Sequence, residues 1–321
     1  MVGFGARCEI RCGPSVQSRQ AANSISISDR FSTLIERIAP TPAENSAFSS
    51  HLKTVSAAAE AVLEINRTEK IGSFSRGTAV RGISDLDLMV VLSSNERKWG
   101  RGNTTSSTTL NKVKDALATR FWSTQMRNSG SAVVLSFAAG RKTVDVVPAF
   151  YAGPYKGSFT QFENYPLFTI PDGSGEWLLT SPQIHGAALG AEDARSGYKL
   201  KRVAQLAKYW ASTRANLNLH SFHVEILIAS AEIAIGARSY GQILHELFQN
   251  ISSRNGRGIQ DPLRISGVIP ASSGDAAAAR LSAAARTAAD HSARALESEL
   301  KGNNSEAVRQ WKIVFGGNYP G

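Results

Sequence analysis

Cysteine is scarce in this chain, and its scarcity excludes two kinds of stabilising site. Only Cys8 and Cys12 occur among the 321 residues, both close to the N-terminus. Two cysteines cannot supply the disulfide network of a small secreted domain, nor by themselves the four ligands of a structural zinc site. The composition therefore favours a reducing compartment, and we expect a cytoplasmic protein.

Long apolar runs are also missing. A membrane-spanning helix needs about 18 or more consecutive apolar residues, and no such run occurs, so we expect no membrane partner. The opening residues contain arginine and serine and few acids, as transit peptides do, but they lack the apolar stretch of a secretory signal. We expect residues 1–27 to form a mobile N-terminal tail.

Acidic residues are outnumbered by basic ones. The chain has 36 lysine and arginine residues against 26 aspartate and glutamate residues, which gives a formal net charge of +10. Such an excess suits a polyanionic partner such as a nucleotide or a nucleic acid. A basic surface that only keeps the protein soluble would have the same composition, so charge alone does not decide between the two.

The order of patterns along the chain predicts an α+β fold with a mixed sheet. Ser28 is the expected N-cap of a first helix, and an apolar strand over 85–92 precedes a helix over 103–121. The stretches 132–137 and 143–150 then predict a hairpin with a turn around 139–142. A second long helix over 41–66 and a turn-rich segment over 151–196 complete this part of the chain.

We divide the chain behind the N-terminal tail into three parts. Residues 28–196, with two N-terminal helices and the mixed sheet, form the first predicted lobe. Residues 197–316 are helical in pattern and include an alanine-rich stretch, which favours helix strongly, so they form a second lobe. Residues 317–321 form the predicted C-terminal tail.

Three aspartates occur in apolar segments that otherwise have the pattern of buried strands. Asp85 and Asp87 in "SDLDLMVVL" are two residues apart, so their side chains project from one face of a strand. Asp145 has a similar place in "TVDVVPAF". If the two strands are neighbours, three carboxylates converge, and such a cluster is costly unless a cation compensates it.

Divalent cations would relieve the repulsion among these acids. Two Mg²⁺ ions, or Mn²⁺ in their place, can be held by carboxylates and can hold phosphate oxygens at the same time. The preceding segment "GSFSRG" offers the Ser73 hydroxyl and backbone amides beside Gly72 to those phosphates. A lone D-x-D or Gly-Ser pair is common, but the combination with a later strand aspartate predicts phosphoryl or nucleotidyl transfer.

The quoted segments resemble a known superfamily. "GSFSRGTAVRGISDLDLMVV" and "VDVVPAF" resemble the motifs of the DNA polymerase β-type nucleotidyltransferases. "IPDGSGEWLLTSPQIH", "LKRVAQLAKYW", "HSFHVEILI" and "WKIVFGGNYP" narrow the resemblance, which covers residues 28–320, to the cGAS/DncV-like nucleotidyltransferases of bacterial CBASS anti-phage signalling. The resemblance implies a catalytic lobe over 28–196, a helical lobe, and an active site in the cleft between them.

The resemblance also implies an activity and a set of site residues. Nucleoside triphosphates would be joined into a cyclic di- or trinucleotide, a second messenger that activates an effector protein. The implied catalytic and metal-binding residues are Asp85, Asp87 and Asp145, and the implied nucleotide-binding residues are Gly72, Ser73, Lys208, Ser221 and Phe222. Many relatives have tyrosine where this chain has Phe222, which keeps the stacking face but lacks the hydroxyl.

Other possibilities remain open from the sequence. A linear oligonucleotide synthetase, an RNA-modifying nucleotidyltransferase or a catalytically silent scaffold of the same fold would share these motifs. Arg76 and Arg81 flank the Gly-Ser segment, where either could touch phosphate, but a surface arginine is the default interpretation. Glu225 is either structural or orients its neighbours, and we do not assign it. No Cys/His cluster could build the zinc-binding thumb of animal cGAS, so we expect His220 and His223 to be packing residues.

The predicted tail 317–321 ends in glycine, whose carboxylate no side chain hinders. Some members of the resembled family are joined through their C-terminus to other molecules by ubiquitin-like conjugating partners. An ordinary chain end is the alternative, and we state the conjugation of Gly321 by an E1/E2-like partner as an expectation.

Overall fold

The computed structural model describes residues 25–96, 105–137 and 143–321, which form the α+β fold that the sequence predicts. The predicted turn over 139–142 and both cysteines lie outside the described residues. The α-helices are α1 Ile27–Ile38, α2 Pro42–Glu60, α3 Gly72–Arg76, α4 Ser106–Ala118, α5 Pro182–Arg195, α6 Leu200–Ser212, α7 Ser221–Ser230, α8 Tyr240–Ser253, α9 Asp275–Leu300 and α10 Asn304–Val314. The strands are β1 Ile65–Ile71, β2 Leu86–Leu92, β3 Gln125–Ser129, β4 Ala132–Ser136, β5 Val144–Pro154, β6 Pro166–Pro171, β7 Trp177–Thr180, β8 Ile259–Gln260 and β9 Val268–Ile269.

A mixed sheet organises the first lobe. Five strands lie side by side in the order β1-β2-β5-β4-β3, and β6 and β7 continue from β5. β2 and β5 run parallel, with Asp87 opposite Asp145, and the other described neighbours in the sheet run antiparallel. Because both aspartates stand at the beginning of parallel strands, the pairing brings two distant segments to the same end of the sheet.

The two faces of the sheet have different surroundings. Leu86 and Leu88 of β2 and Val144 and Val146 of β5 are buried under α2 and α4. Alternation along a strand sends the intervening side chains to the opposite face. The carboxylates of the β2 and β5 aspartates therefore point away from this core, as the sequence pattern predicts.

Helix α1 packs in the helical lobe, which departs from our division of the chain at residue 196. Its apolar face lies in the same core as α6 to α10, and the ring of Phe31 contacts Trp311 and Tyr319 at centroid distances of 5.0 and 5.1 Å. The helix is capped by Ser26, whose side chain accepts a hydrogen bond from the amide of Asp29. The prediction of Ser28 as N-cap was therefore wrong by two residues.

The segment 151–196 contains more regular structure than its turn-rich composition predicts. It includes β6, β7 and the whole of α5, which begins at Pro182 and is capped by the Ser181 side chain. β1 and β3 were also not predicted, because their polar side chains hide the alternation that marks a strand. The second predicted helix ends at Glu60 and gives way to β1 at Ile65.

The C-terminal segment is anchored rather than free. Tyr319 is 2% exposed, and its hydroxyl donates a hydrogen bond to the carbonyl of Ile27 over 3.1 Å. Arg30 donates to the carbonyl of Pro320 over 3.1 Å. Gly321 itself is exposed, so its conjugation stays a prediction. None of the described helices combines the length and the apolar character that crossing a membrane requires.

Candidate active site

A cavity of about 610 Å³ lies between the mixed sheet and the helical lobe, and we call it the site cavity. One wall is formed by α3 and the beginnings of β2 and β5, and the other by α6, α7 and the loop between them. The structure brings all the predicted site residues to its walls: Gly72, Ser73, Asp85, Asp87, Asp145, Lys208, Ser221 and Phe222. Segments that are more than a hundred residues apart in the chain thus meet at one place.

Asp85, Asp87 and Asp145, which we call the acid cluster, form one end of the site cavity. Burial, together with the charges of Asp145 and Asp85, raises the pKa of Asp87 to about 7. Burial and the charge of Asp85 raise the pKa of Asp145 to about 6. Arg76, Lys208 and Arg127 act in the opposite direction but do not outweigh these causes. The fold therefore supplies too little positive charge to offset burial and mutual repulsion at Asp87 and Asp145.

The donor chemistry of the acid cluster fits a hard divalent cation, because Mg²⁺ prefers carboxylate oxygens. The cluster is not a preformed ligand set: within the described ranges, no three His, Cys, Asp or Glu side chains are arranged to hold a metal ion. The carboxylate of Asp85 instead accepts a hydrogen bond from the hydroxyl of Thr143.

Gly72 is required by its contact with the acid cluster. Its φ of +73° lies in the left-handed region, and a Cβ added to it would stand 1.8 Å from Oδ2 of Asp87. The carboxylate thus occupies the place of a side chain at this position. The predicted loop is the short helix α3, and Gly77, also with a φ of +73°, caps its C-terminus. Ser73 is only 6% exposed.

A buried ion network stands beside the acid cluster and consists of Glu225, Arg76, Lys208 and Thr78. Glu225 is fully buried; its Oε2 accepts from Nε of Arg76 and its Oε1 accepts from Nζ of Lys208, each over 2.5 Å. The hydroxyl of Thr78 also donates to Oε1. Burial by itself would raise the pKa of Glu225, but the two cations and their hydrogen bonds hold it at about 2.

Lys208 uses all its donors inside this network. Besides Glu225, its ammonium donates to the hydroxyl and the carbonyl of Thr78, over 2.9 and 3.1 Å. An ammonium has three N–H groups, so none is left for a ligand in this conformation. Burial lowers the pKa of Lys208, and the neighbouring Glu225 carboxylate opposes that effect.

The other end of the site cavity is largely apolar. Phe222 lies there with Ala211, Leu217 and Leu219, and the polar side chains of Ser212 and Asn218 interrupt this surface. A ring face between apolar walls, with hydrogen-bonding groups at its edge, is the kind of surface on which a nucleobase stacks.

Two contacts fix the ring of Phe222. The Arg76 guanidinium carbon lies 5.2 Å from its centroid, and the ring of His185 is nearly perpendicular to it at a centroid distance of 5.0 Å. His185 is held by the carbonyl of Ser181 over 2.9 Å and by Asp261 over 3.0 Å. Burial raises the pKa of Asp261, but hydrogen bonds from His185 and backbone amides outweigh it and hold the pKa at about 2.

Among the titratable side chains of the cavity and the network, Arg76, Glu225 and His185 are the ones that the sequence analysis left without an assigned site role. A signal existed for Glu225, which follows Ser221 by one helical turn on an apolar helix and so had to be buried and paired. His220 is the N-cap residue of α7, and His223 is 1% exposed with a pKa lowered to about 4 by burial, so both are packing residues.

Comparisons with known proteins agree with this geometry. Residues 25–191 match the Second Messenger Oligonucleotide or Dinucleotide Synthetase domain, SMODS. The chain is 26% identical over 194 residues to a cyclic AMP-AMP-AMP synthase of Escherichia coli, a match that spans 57% of this chain and 55% of that protein. The chain therefore spans about half the length of this relative.

Solved structures of similar fold cover most of the chain. The CdnC protein of E. coli, in a complex with HORMA, superposes with a TM-score of 0.68 at 20% identity and covers 92% of this chain and 98% of its own. The DncV cyclic AMP-GMP synthase of Vibrio cholerae, described as a prokaryotic cGAS homolog, gives 0.63 at 14% identity over 91% and 95%. The domain match covers more than half of the chain, which confirms the resemblance to cGAS/DncV-like nucleotidyltransferases: the chain belongs to the SMODS family.

Proposed function

We propose that this protein is a Mg²⁺-dependent nucleotidyltransferase that makes a cyclic di- or trinucleotide from nucleoside triphosphates. The observation that carries the proposal is the site cavity, which has an undercompensated acid cluster at one end and an aromatic ring at the other. A nucleoside triphosphate bound with divalent cations has matching parts: cations for the carboxylates, phosphates beside them, and a base for Phe222.

The proposed reaction joins a ribose hydroxyl of one nucleotide to the α-phosphate of another. An oxygen–phosphorus bond forms, the bond to pyrophosphate breaks, and the hydroxyl gives up its proton. Bound Mg²⁺ would supply charge that activates the hydroxyl and stabilises the phosphates. In this proposal Asp85, Asp87 and Asp145 would hold the cations, and Asp145 would also help to activate the attacking hydroxyl.

The remaining site residues bind the donor nucleotide in this proposal. Ser73 and Ser221 donate to its phosphates, Gly72 leaves room beside Asp87, and Phe222 stacks on the base. Lys208 contributes its charge at the phosphate end, and it contacts a phosphate directly when it exchanges a hydrogen bond with Thr78 for one with the ligand. A second transfer between the ends of the linear intermediate closes the ring.

The cyclic product and its use are the finer parts of the proposal. The name of the E. coli relative, cyclic AMP-AMP-AMP synthase, supports a cyclic product. We propose further that the product activates an effector protein in cytoplasmic anti-phage signalling, as the family resemblance implies. A linear product, or a silent scaffold of the same fold, is the outcome that the following experiment separates from this proposal.

The experiment incubates the full chain with each α-labelled nucleoside triphosphate, singly and mixed, with Mg²⁺ and without polynucleotide. Products are treated with phosphatase and separated by chromatography. We expect labelled products that resist phosphatase, and none from the Asp87→Asn variant. Products that lose terminal phosphates would show a linear synthetase, and no turnover with any mixture would contradict the proposed enzyme.

A further inference from the structure

Arg76 and Lys208, the two cations of the buried ion network, both line the site cavity, and Arg76 is the more exposed of the two. Its side chain is 12% exposed, and it lines the cavity between the acid cluster and Phe222. Only its Nε donates to Glu225; its two terminal nitrogens make no hydrogen bond to any other residue of the described ranges. A guanidinium has five N–H groups, so most of its donors are left for a ligand.

The guanidinium is held in one orientation before any ligand arrives. Glu225 fixes one edge through the 2.5 Å bond to Nε, and the face of Phe222 lies 5.2 Å from the guanidinium carbon. Arg76 is the last residue of α3, the short helix that begins with the Gly72–Ser73 pair. A planar fork that is held at its edge and its face presents its free nitrogens in a fixed direction, which suits phosphate oxygens.

The charges of the buried ion network do not cancel. Glu225 carries one negative charge, and Arg76 and Lys208 carry two positive charges, which leaves one positive charge in excess. Lys208 spends its three donors on Thr78 and Glu225, so the excess is presented to the cavity by Arg76. The field of Arg76 reaches Asp87, and this end of the cavity is where the proposed reaction places the triphosphate.

We propose that Arg76 binds the triphosphate of the donor nucleotide directly and that Glu225 is its positioning residue, acting through the bond to Nε. The inference rests on the proposed function and adds two residues to it. Arg81, five residues further along the same segment, has no such role: it is 39% exposed, pairs with Glu44 and lies outside the site cavity.

The test measures binding rather than turnover. Isothermal titration calorimetry measures the affinity for a non-hydrolysable ATP analogue in the presence of Mg²⁺. Ligand-observed NMR measures the affinity for adenosine, which has no phosphates, and the two affinities are compared. We expect Arg76→Gln to weaken the analogue about 10- to 100-fold, the scale of a lost hydrogen bond between charged groups, and to change adenosine affinity much less, because His185 still contacts the Phe222 ring. The matched variant Arg81→Gln should leave both affinities unchanged.

The Glu225→Gln variant tests the positioning role of Glu225. The same two affinities, for the analogue and for adenosine, are measured. A residue that only supports the fold would change both affinities together, whereas a positioning residue changes the analogue alone. If Glu225→Gln does not fold, Arg76→Lys takes its place, because it keeps the charge but loses the planar fork, and we expect an intermediate loss of analogue affinity.

Two results separate the failure of this inference from the failure of the proposed function. If the wild-type chain binds the analogue and Arg76→Gln binds it equally well, or loses adenosine in the same proportion, the role of Arg76 is overturned and the proposed function stands. If the wild-type chain binds no nucleotide, the proposed function and this inference are both overturned.

Discussion

Glu225, which pairs with Arg76 of α3, and the acid cluster, which contacts Gly72 of the same helix through Asp87, have opposite surroundings. Glu225 is fully buried, yet Arg76, Lys208 and Thr78 hold its pKa at about 2. Asp87 is only partly buried, yet burial and the neighbouring carboxylates raise its pKa to about 7. The fold thus neutralises one acid from within and leaves the other set for charge that a ligand brings.

This difference in surroundings indicates that Glu225 supports the fold and that the acid cluster binds a ligand. A carboxylate whose partners are all supplied by the fold contributes to the native structure without any ligand. A carboxylate cluster without enough partners weakens the ligand-free protein and gains when cations bind it. The predictions below change one side of this comparison at a time.

The largest effect is expected at the acid cluster. Asp87→Asn and Asp145→Asn should each lower product formation by at least about 10³-fold, because an amide is a poor ligand for the cations that the reaction needs. The fold should remain intact, since the replacement is nearly isosteric and removes repulsion. Turnover is measured by chromatography of labelled product, with the exposed Asp115→Asn as control. Activity within tenfold of wild type in either variant would contradict the assignment.

The contact between Gly72 and Asp87 is tested by a matched pair of glycines. Gly72 and Gly82 have φ of +73° and +74°, but a Cβ at Gly82 would meet nothing within 4 Å. Alanine at each position carries the same backbone strain, about 1–2 kcal/mol. Only Gly72→Ala also pushes the Asp87 carboxylate aside, so we expect it to lose turnover about 100-fold beyond Gly82→Ala. Equal losses would show that the close approach has no role.

Stability as a function of pH should show both sides of the comparison in metal-free buffer. The pKa of Asp87 in the folded protein lies above its ordinary value of 3.8, so the unfolded chain loses this proton more readily. The free energy of unfolding therefore falls as the pH rises from about 4 to about 7. The folded pKa of Glu225 lies below 4.5, so its contribution is present above that value and is lost as the pH falls towards 2.

Urea unfolding from pH 3 to pH 8 measures both slopes. In the wild-type chain we expect the free energy of unfolding to fall by about 1–3 kcal/mol between pH 4 and pH 7 because of Asp87, and in Asp87→Asn we expect this fall to be absent. We also expect Mg²⁺ to stabilise the wild-type chain more at pH 8 than at pH 5. An unchanged pH profile in Asp87→Asn would mean that its carboxylate is already compensated in the folded protein.

The smallest effect is expected at the apolar end of the site cavity. Phe222→Ala should weaken a non-hydrolysable ATP analogue by about 1–3 kcal/mol through the loss of stacking. Phe222→Tyr keeps the ring face and should bind within about 0.5 kcal/mol of wild type. Titration calorimetry of both variants checks the assignment. Wild-type affinity in Phe222→Ala would place the base elsewhere.

The acid cluster was predictable from the sequence because its signals are local. Asp85, Asp87 and Asp145 each lie in a short apolar segment with the pattern of a strand. The Gly-Ser pair comes shortly before the first of these segments. Only their meeting required tertiary structure, and the parallel pairing of β2 with β5 supplies it.

The buried ion network was not predictable in the same way. Arg76 and Glu225 are 149 residues apart, and nothing near Arg76 in the sequence distinguishes it from the exposed Arg81. The placement of α1 failed for a similar reason: its apolar stripe shows that one face is buried but not which core covers it. Lobe boundaries drawn along the chain cannot show that the first helix packs on the last one.

Proton release on metal and nucleotide binding tests the central claim, an acid cluster that the fold leaves without compensation. Mg²⁺ and a non-hydrolysable ATP analogue are titrated into the metal-free chain at pH 6.5, in two buffers of different ionisation enthalpy. Because the pKa of Asp87 is raised to about 7 and that of Asp145 to about 6, we predict proton release by wild type and less by Asp87→Asn. Binding without proton release, or with unchanged affinity in Asp87→Asn, would contradict the account.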